Sequence, residues 1–158
     1  MESKQSKKSK SKRVKPRDKP YYVNSKEFKL ALSEFYESNT DDISEQLGTY
    51  IHKIATGLSY APNFINYTYK DDMIGDAVYK MLLAIKNKKF DLTSEYNPFS
   101  YFTTIAFHAF INRIKKEKKQ REIVSQYQES VYEELLSSGD PSTHVGGETS
   151  VTTTNSDT

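Results

Sequence analysis

From residue 24 to residue 121 the apolar positions recur three and four apart, the spacing of helices buried along one side. Phe28, Ala31, Leu32, Phe35 and Tyr36 define a first helix reaching about Ser38, with Asn24 or Ser25 able to cap it and Glu27 placed for a capping box. After a polar break from Asn39 to Asp42, the series Ile43, Leu47, Tyr50, Ile51, Ile54, Ala55 and Leu58 predicts a second helix that ends before Pro62. Leu58 to Lys70 reads as an ordered, aromatic-rich loop, because Pro62 and the nearby Asn residues interrupt any alternation. A third helix, capped by Asp71, turns Ile74, Ala77, Val78, Met81, Leu82 and Ile85 to the core. Its opposite face carries Asp72, Gly75, Asp76 and Lys80.

Lys86 to Tyr96 is a polar connector punctuated by Phe90 and Asp91. Asn97 then caps a fourth helix with Pro98 in its first position, where the missing N–H costs nothing. Its core stripe is expected at Phe102, Ile105, Ala106, Ala109, Phe110 and Ile114. One stripe cannot bury Phe99, Tyr101, Phe107, His108 and Ile111 as well, so some large rings are expected at the surface as a contact patch. The helix runs into a dense cationic block, Arg113, Lys115, Lys116, Lys118, Lys119 and Arg121, and continues to at least Lys119. Beyond it, Ile123, Tyr127, Val131, Leu135 and Leu136 either extend the helix or form a short docked segment.

Composition changes the picture mainly at the ends. Net charge is only +2, but Met1 to Pro20 carries +7, Glu133 to Thr158 carries −5 and the middle balances. The Lys/Ser-rich start cannot bury enough apolar surface to offset chain entropy, and serves either as a solubilising leader or as an arm that seeks polyanions. The expected architecture is all-α: a compact bundle of about four helices, with a disordered basic tail (1–20), a helical domain (21–136) and a disordered acidic, Ser/Thr-rich tail (137–158). Cysteine is absent, and no apolar run suits a signal peptide or a membrane span. A soluble, cytoplasmic protein is expected.

The chain has no Gly-rich nucleotide loop, no metal-ligand cluster and no nucleophile beside a base. We therefore expect no catalytic residues, no metal and no cofactor. His52 stands alone and reads as a surface or interface residue. Asp72 and Asp76, one turn apart, fit a solvated face or a docking surface better than acid/base chemistry, because nothing supplies a cleft to perturb them. Six cations on every side of one helix exceed what Glu117 and Glu122 can pair. Beside exposed rings they suggest backbone neutralisation next to stacking platforms, the way single-stranded nucleic acid is held.

The block DDMIGDAVYKMLLAI, then FD, then NPFSYFTTIAFHAFINRIKKEK resembles conserved region 2 of bacterial RNA polymerase sigma factors. In that family an acidic-faced helix leads through a Phe-Asp turn to a helix reading roughly Phe-Ser-Thr-Tyr-Ala, matched here by Phe102, Thr103, Thr104, Ile105 and Ala106. The Asn-Pro opening and the Ile-Asn-Arg-Ile ending are similar to the extracytoplasmic-function branch. YYVNSKEF, GLSYAPNFINY and RIKKEKK resemble the late-transcription sigma factors of T-even-related tailed phages. The resemblance covers about Tyr21 to Arg121.

It implies that Asp72, Gly75, Asp76 and Lys80 grip the clamp coiled coil of the largest subunit of core RNA polymerase. It also implies that the fourth helix captures non-template promoter bases at an AT-rich element just upstream of the start. Phe99, Tyr101, Thr103, Thr104, Phe107 and His108 would then serve the bases, and Arg113, Lys115, Lys116, Lys118, Lys119 and Arg121 the phosphates. Two departures stand out. The Trp pair that wedges the bubble in housekeeping relatives falls at His108 and Ala109, and no helix-turn-helix domain follows. Phage relatives recruit the sliding clamp through a hydrophobic C-terminal peptide, whereas GGETSVTTTNSDT has no hydrophobic cluster; the resemblance leaves a phage co-activator or the sliding clamp as a further partner. Two other classes share part of the pattern: an architectural DNA-binding protein, which leaves the acidic face unexplained, and a polymerase-binding adaptor without DNA readout, which leaves the exposed rings unexplained.

Overall fold

The structure, a computed structural model, describes residues 20–139. The expectations for the tails fall outside these residues, apart from Pro20 and residues 137–139. The described chain is all-α, with α1 (Ser25–Glu37), α2 (Glu45–Ser59), α3 (Lys70–Lys86) and α4 (Pro98–Ser137). It divides within α4 into two units, one ending at Glu117 and the other beginning at Lys118.

The start of each helix in the first unit follows from local chemistry. The Asn24 carboxamide oxygen accepts from the Lys26 amide at 3.0 Å. Glu27 accepts from the Asn24 side-chain amide at 3.0 Å, so the expected box closes between side chains. Ser44 caps α2 by accepting from the Leu47 amide. Helix α3 begins one residue before the expected cap: Tyr69 is its N-cap, no side chain caps it, and Asp71 and Asp72 lie in the first turn, where carboxylates oppose the helix dipole. The end of α3 is a Schellman motif, with amides of Lys88 and Lys89 donating to the carbonyls of Ile85 and Ala84. Lys88 takes the left-handed conformation, φ 49°, that glycine usually supplies there.

The core of this unit is built from rings. Phe28 of α1 is fully buried and meets Tyr50 of α2 at 5.5 Å and Phe102 of α4 at 5.2 Å between ring centroids. Phe110 of α4 meets Phe64, from the loop after α2, edge-on at 5.1 Å. That loop is ordered and packed on the core, as its composition suggests. The connector after α3 tucks Phe90 against Tyr101 and Phe102. Asp91 folds it into a turn by accepting from the Thr93 amide and hydroxyl, bonds that hold its carboxyl below the usual carboxylate range. Gly57 of α2 has a direct role, since a Cβ there would lie 2.9 Å from the Tyr21 Cβ. The missing side chain lets the segment before α1 lie on α2, with Tyr21 stacked on Tyr60.

Helix α3 departs from expectation in phase. Its buried residues are Met73, Ala77, Met81, Ala84 and Ile85, while Ile74, Val78 and Leu82 are only partly covered. Apolar side chains occupy two adjoining faces of this helix: Met73 is fully buried, while Ile74 and Val78 line a depression with His52 and Thr56 of α2.

In the second unit, α4 simply continues to Ser137, so the expected C-terminal tail begins inside the helix. Ile123, Tyr127, Leu135 and Leu136 extend it as exposed side chains. Among the described residues no helix is long and apolar enough to cross a membrane.

Burial separates the rings of α4 by consequence. Phe102→Ala is expected to cost about 3–5 kcal/mol, whereas Phe107→Ala, at a ring already 38% exposed, is expected to cost clearly less. Urea unfolding of both variants with unchanged slope checks this; equal losses would contradict the assigned burial.

Candidate nucleic-acid and protein interface

The first turn of α4 is fixed from two directions. The Asn97 carboxamide oxygen accepts from the Phe99 amide at 2.8 Å, capping the helix, and from the Ser25 hydroxyl at 2.9 Å, tying it to the start of α1. Lys29 of α1 donates to the Ser94 carbonyl at 3.0 Å and anchors the connector just ahead. With the phase of α4 set by Phe102, Ala106 and Phe110 in the core, the opposite side is free to solvent.

At roughly 100° per residue, that free side carries Ser100, Thr104, Phe107, His108 and Lys115 along one stripe, with Thr103 at one edge and Lys116 further round the helix. Thr104, Phe107, His108, Lys115 and Lys116 are exposed and Thr103 is half-buried. The hydroxyls of Thr103 and Thr104 donate back to the carbonyls of Phe99 and Ser100, which restrains their rotamers. The Phe107 ring rests edge-on against Phe64 at 5.5 Å and lies 6.1 Å from the His108 ring. A ring of this kind, supported from below and open above, can accept a planar group by stacking.

Three residues of the expected set are placed differently. Tyr101 is half-buried, with its ring 5.2 Å from both Phe90 and Phe102. Phe99 is half-buried and lines an apolar cleft of about 440 Å³ with Pro20, Tyr21, Tyr22, Val23, Ser25 and Gly57. Arg113, expected to meet phosphate, instead meets Asp76, expected to meet a protein partner. Its Nε and one terminal nitrogen donate to the two carboxylate oxygens at 2.6 and 2.8 Å, and its other terminal nitrogen donates to Glu117 at 3.3 Å. The fork geometry and the two carboxylates push the guanidinium further up from its already high value, and it stays charged at every accessible pH. The remaining cations differ: Lys115 and Lys116 of the first unit are exposed and enter no ion pair among the described residues. Lys118, Lys119 and Arg121 begin the second unit and are likewise exposed.

On α3 the outward residues Asp72, Gly75 and Lys80 are exposed and Asp76 is half-buried. Gly75 sits in mid-helix, where glycine costs about 1 kcal/mol against alanine. A Cβ at Gly75 would meet nothing within 4 Å, so the packing of this chain does not require the glycine. Tyr79 joins this face with 59% of its surface exposed, and a tyrosine on a polar helix face gives no periodic signal in the sequence. Among the described residues no group of His, Cys, Asp or Glu is arranged to hold a metal ion. No protein-family model matches the chain, and no curated protein matches it.

The Arg113–Asp76 clasp joins α3 to α4 across 37 residues of sequence and should behave as a structural bond. A double-mutant cycle with Arg113→Ala and Asp76→Ala is expected to give a coupling of about 1 kcal/mol, discounted for the partial exposure of Asp76. Zero coupling in equilibrium unfolding would remove the clasp from the account of stability.

Proposed function

We propose that this chain is a small sigma factor: it docks on bacterial core RNA polymerase through α3 and holds the opened, non-template strand of an AT-rich promoter element along α4. The observation that carries the reading is the stripe on α4. Residues singled out in sequence for bases and phosphates, Thr104, Phe107, His108 and Lys115, share one exposed side of a helix whose other side is locked in the core. An exposed ring followed two turns later by unpaired cations matches a stacking platform with backbone neutralisation beside it. The unneeded glycine at position 75, next to Asp72 and Tyr79, supports a surface that another chain approaches closely.

Within this reading the burdens shift among residues. Phe107 with His108 takes the stacking role, Lys115 and Lys116 take the phosphates, and Arg113 holds the helix that presents them. Stacking is worth about 1–3 kcal/mol per base, and unstacking a step costs a few kcal/mol. One platform therefore does not open DNA unaided, and polymerase contacts supply the remainder. Late transcription in a tailed phage is the setting that the sequence resemblance favours, with a co-activator as a further partner, or a sliding clamp met without the hydrophobic C-terminal peptide that phage relatives use.

Reconstitution with core polymerase on a promoter bearing only an AT-rich element tests the reading directly. Specific initiation is the expected result, and none with any bacterial core enzyme would overturn it. Asp72→Lys with Gly75→Lys is expected to reduce co-purification with core polymerase by at least tenfold while leaving the fold intact by circular dichroism. Phe107→Ala is expected to lower open-complex formation, read by permanganate reactivity, by about 1–3 kcal/mol with duplex binding little changed. Equal loss in both assays would count against a stacking role.

A further inference from the structure

We propose that residues 10–19, the basic arm ahead of α1, bind in a trough between α2 and α3 of the same chain. Two depressions make the trough. One, of about 510 Å³, has Tyr60 at its end and Ile74, Gly75 and Val78 along one wall; the other, of about 530 Å³, is lined by Ile43, Gly48 and Leu82, and His52 lines both. Ile74, Val78 and Leu82 follow one another four residues apart on α3 and are only partly covered, so the trough runs along the apolar face of that helix that the core leaves half open. A Cβ at Gly48 or Gly75 would meet nothing within 4 Å, so both walls have room for another segment.

Two observations choose the occupant. The first is where the arm joins the fold: Tyr21 lies over Gly57 of α2 and stacks on Tyr60 at 5.4 Å between ring centroids, and Tyr60 closes one end of the trough. The second is charge. Around the other end, from Glu34 to Glu45, the chain has five acids, Glu34, Glu37, Asp41, Asp42 and Glu45, and no Lys or Arg. All five are exposed, and none enters an ion pair among the described residues. Lys88, which donates to the Tyr36 carbonyl, offsets only one of them. Residues 10–19 carry six cations and a single acid, Asp18. Length agrees with both: Glu45 lies twelve residues before Gly57, about 18 Å along α2, a span that about six extended residues cover. Counted back from Tyr21, Asp18 then falls between Thr49 and Lys53, Val14 reaches Ile43 and Leu82, and Lys10, Lys12 and Arg13 reach the acids. Val14 is the one large apolar side chain in the arm. Gly75 borders both the trough and the docking face of the proposed function, so on that reading a seated arm and a docked polymerase compete; the seat itself does not rest on it.

Because the chain lacks cysteine, Ser11→Cys places a single nitroxide in the arm of the full chain. At low salt the label is expected to cause at least a twofold loss of the NMR amide signals of Asp42, Gly48 and Leu82 while sparing Glu133 and Glu134. Salt that screens exposed charges should restore the signals, and so should Asp41→Lys with Asp42→Lys, or Val14→Asp alone. No loss at low salt, a loss that these variants leave unchanged, or a loss centred on Glu133 and Glu134 would each overturn the proposal. So would a loss seen when label and isotope sit on different copies, which would place the arm in a neighbour's trough. No polymerase is present, so failure here leaves the proposed function standing.

Discussion

The contact between Phe28 and Phe102 decides what the other side of α4 can present. Both rings are fully buried, and Phe28 also meets Tyr50, so α1, α2 and α4 share one aromatic junction. Full burial of such a ring contributes about 1.5–3 kcal/mol; more to the point, it fixes the rotation of α4. With Phe102 inward, Ala106, Ala109 and Phe110 must follow it into the core, and Thr104, Phe107, His108 and Lys115 must face out. The surface stripe is thus the complement of a packing decision made elsewhere. The ends of that decision are pinned by polar bonds, Ser25 to Asn97 at the first turn and Asp76 to Arg113 four turns along.

Much of this was legible in the sequence because helices leave a period. Phe28, Leu32, Leu47, Ile51, Ala77, Met81, Phe102 and Phe110 were all expected inside and are all buried. The Asn97–Pro98 start and the Asn24 cap follow from side-chain chemistry that is local in sequence, whereas the apolar spacing placed Ile43 inside α2, which its Ser44 cap leaves just outside. The phase of α3 was less legible, since Met73, Ile74, Ala77 and Val78 make an apolar arc wider than the surface it covers. A pattern of that width constrains which half of a helix is buried without choosing its centre, and the choice falls to the partner helix.

The Arg113–Asp76 clasp was illegible for a different reason. Each residue alone looked like a surface charge, one in a cationic block and the other on an acidic face, and no periodicity links positions so far apart. Only the fold brings them together, and doing so pairs one cation of that block. What is left unpaired, Lys115 and Lys116 here and Lys118, Lys119 and Arg121 in the second unit, is the part that solvent or a polyanion must satisfy. The extension of α4 to Ser137 was half legible: the apolar spacing was present, but a helix whose seam finds no core gives no signal for where it stops.

The clasp also bears on how the two proposed surfaces relate. Asp76 lies one turn beyond Asp72 on α3, and Arg113 lies about half a turn round α4 from Lys115, so the bond holds the side of α4 opposite the stripe. A partner that gripped α3 through Asp76 itself would have to compete with a bidentate guanidinium, an unfavourable exchange for a half-buried carboxylate. Docking through Asp72, Gly75 and Tyr79 needs no such exchange and leaves the clasp closed. On that arrangement the partner holds α3 while Arg113 holds α4 to α3, and the stripe is presented in a fixed orientation. For a ring asked to meet a base, fixed orientation is what turns a merely exposed Phe107 into a platform.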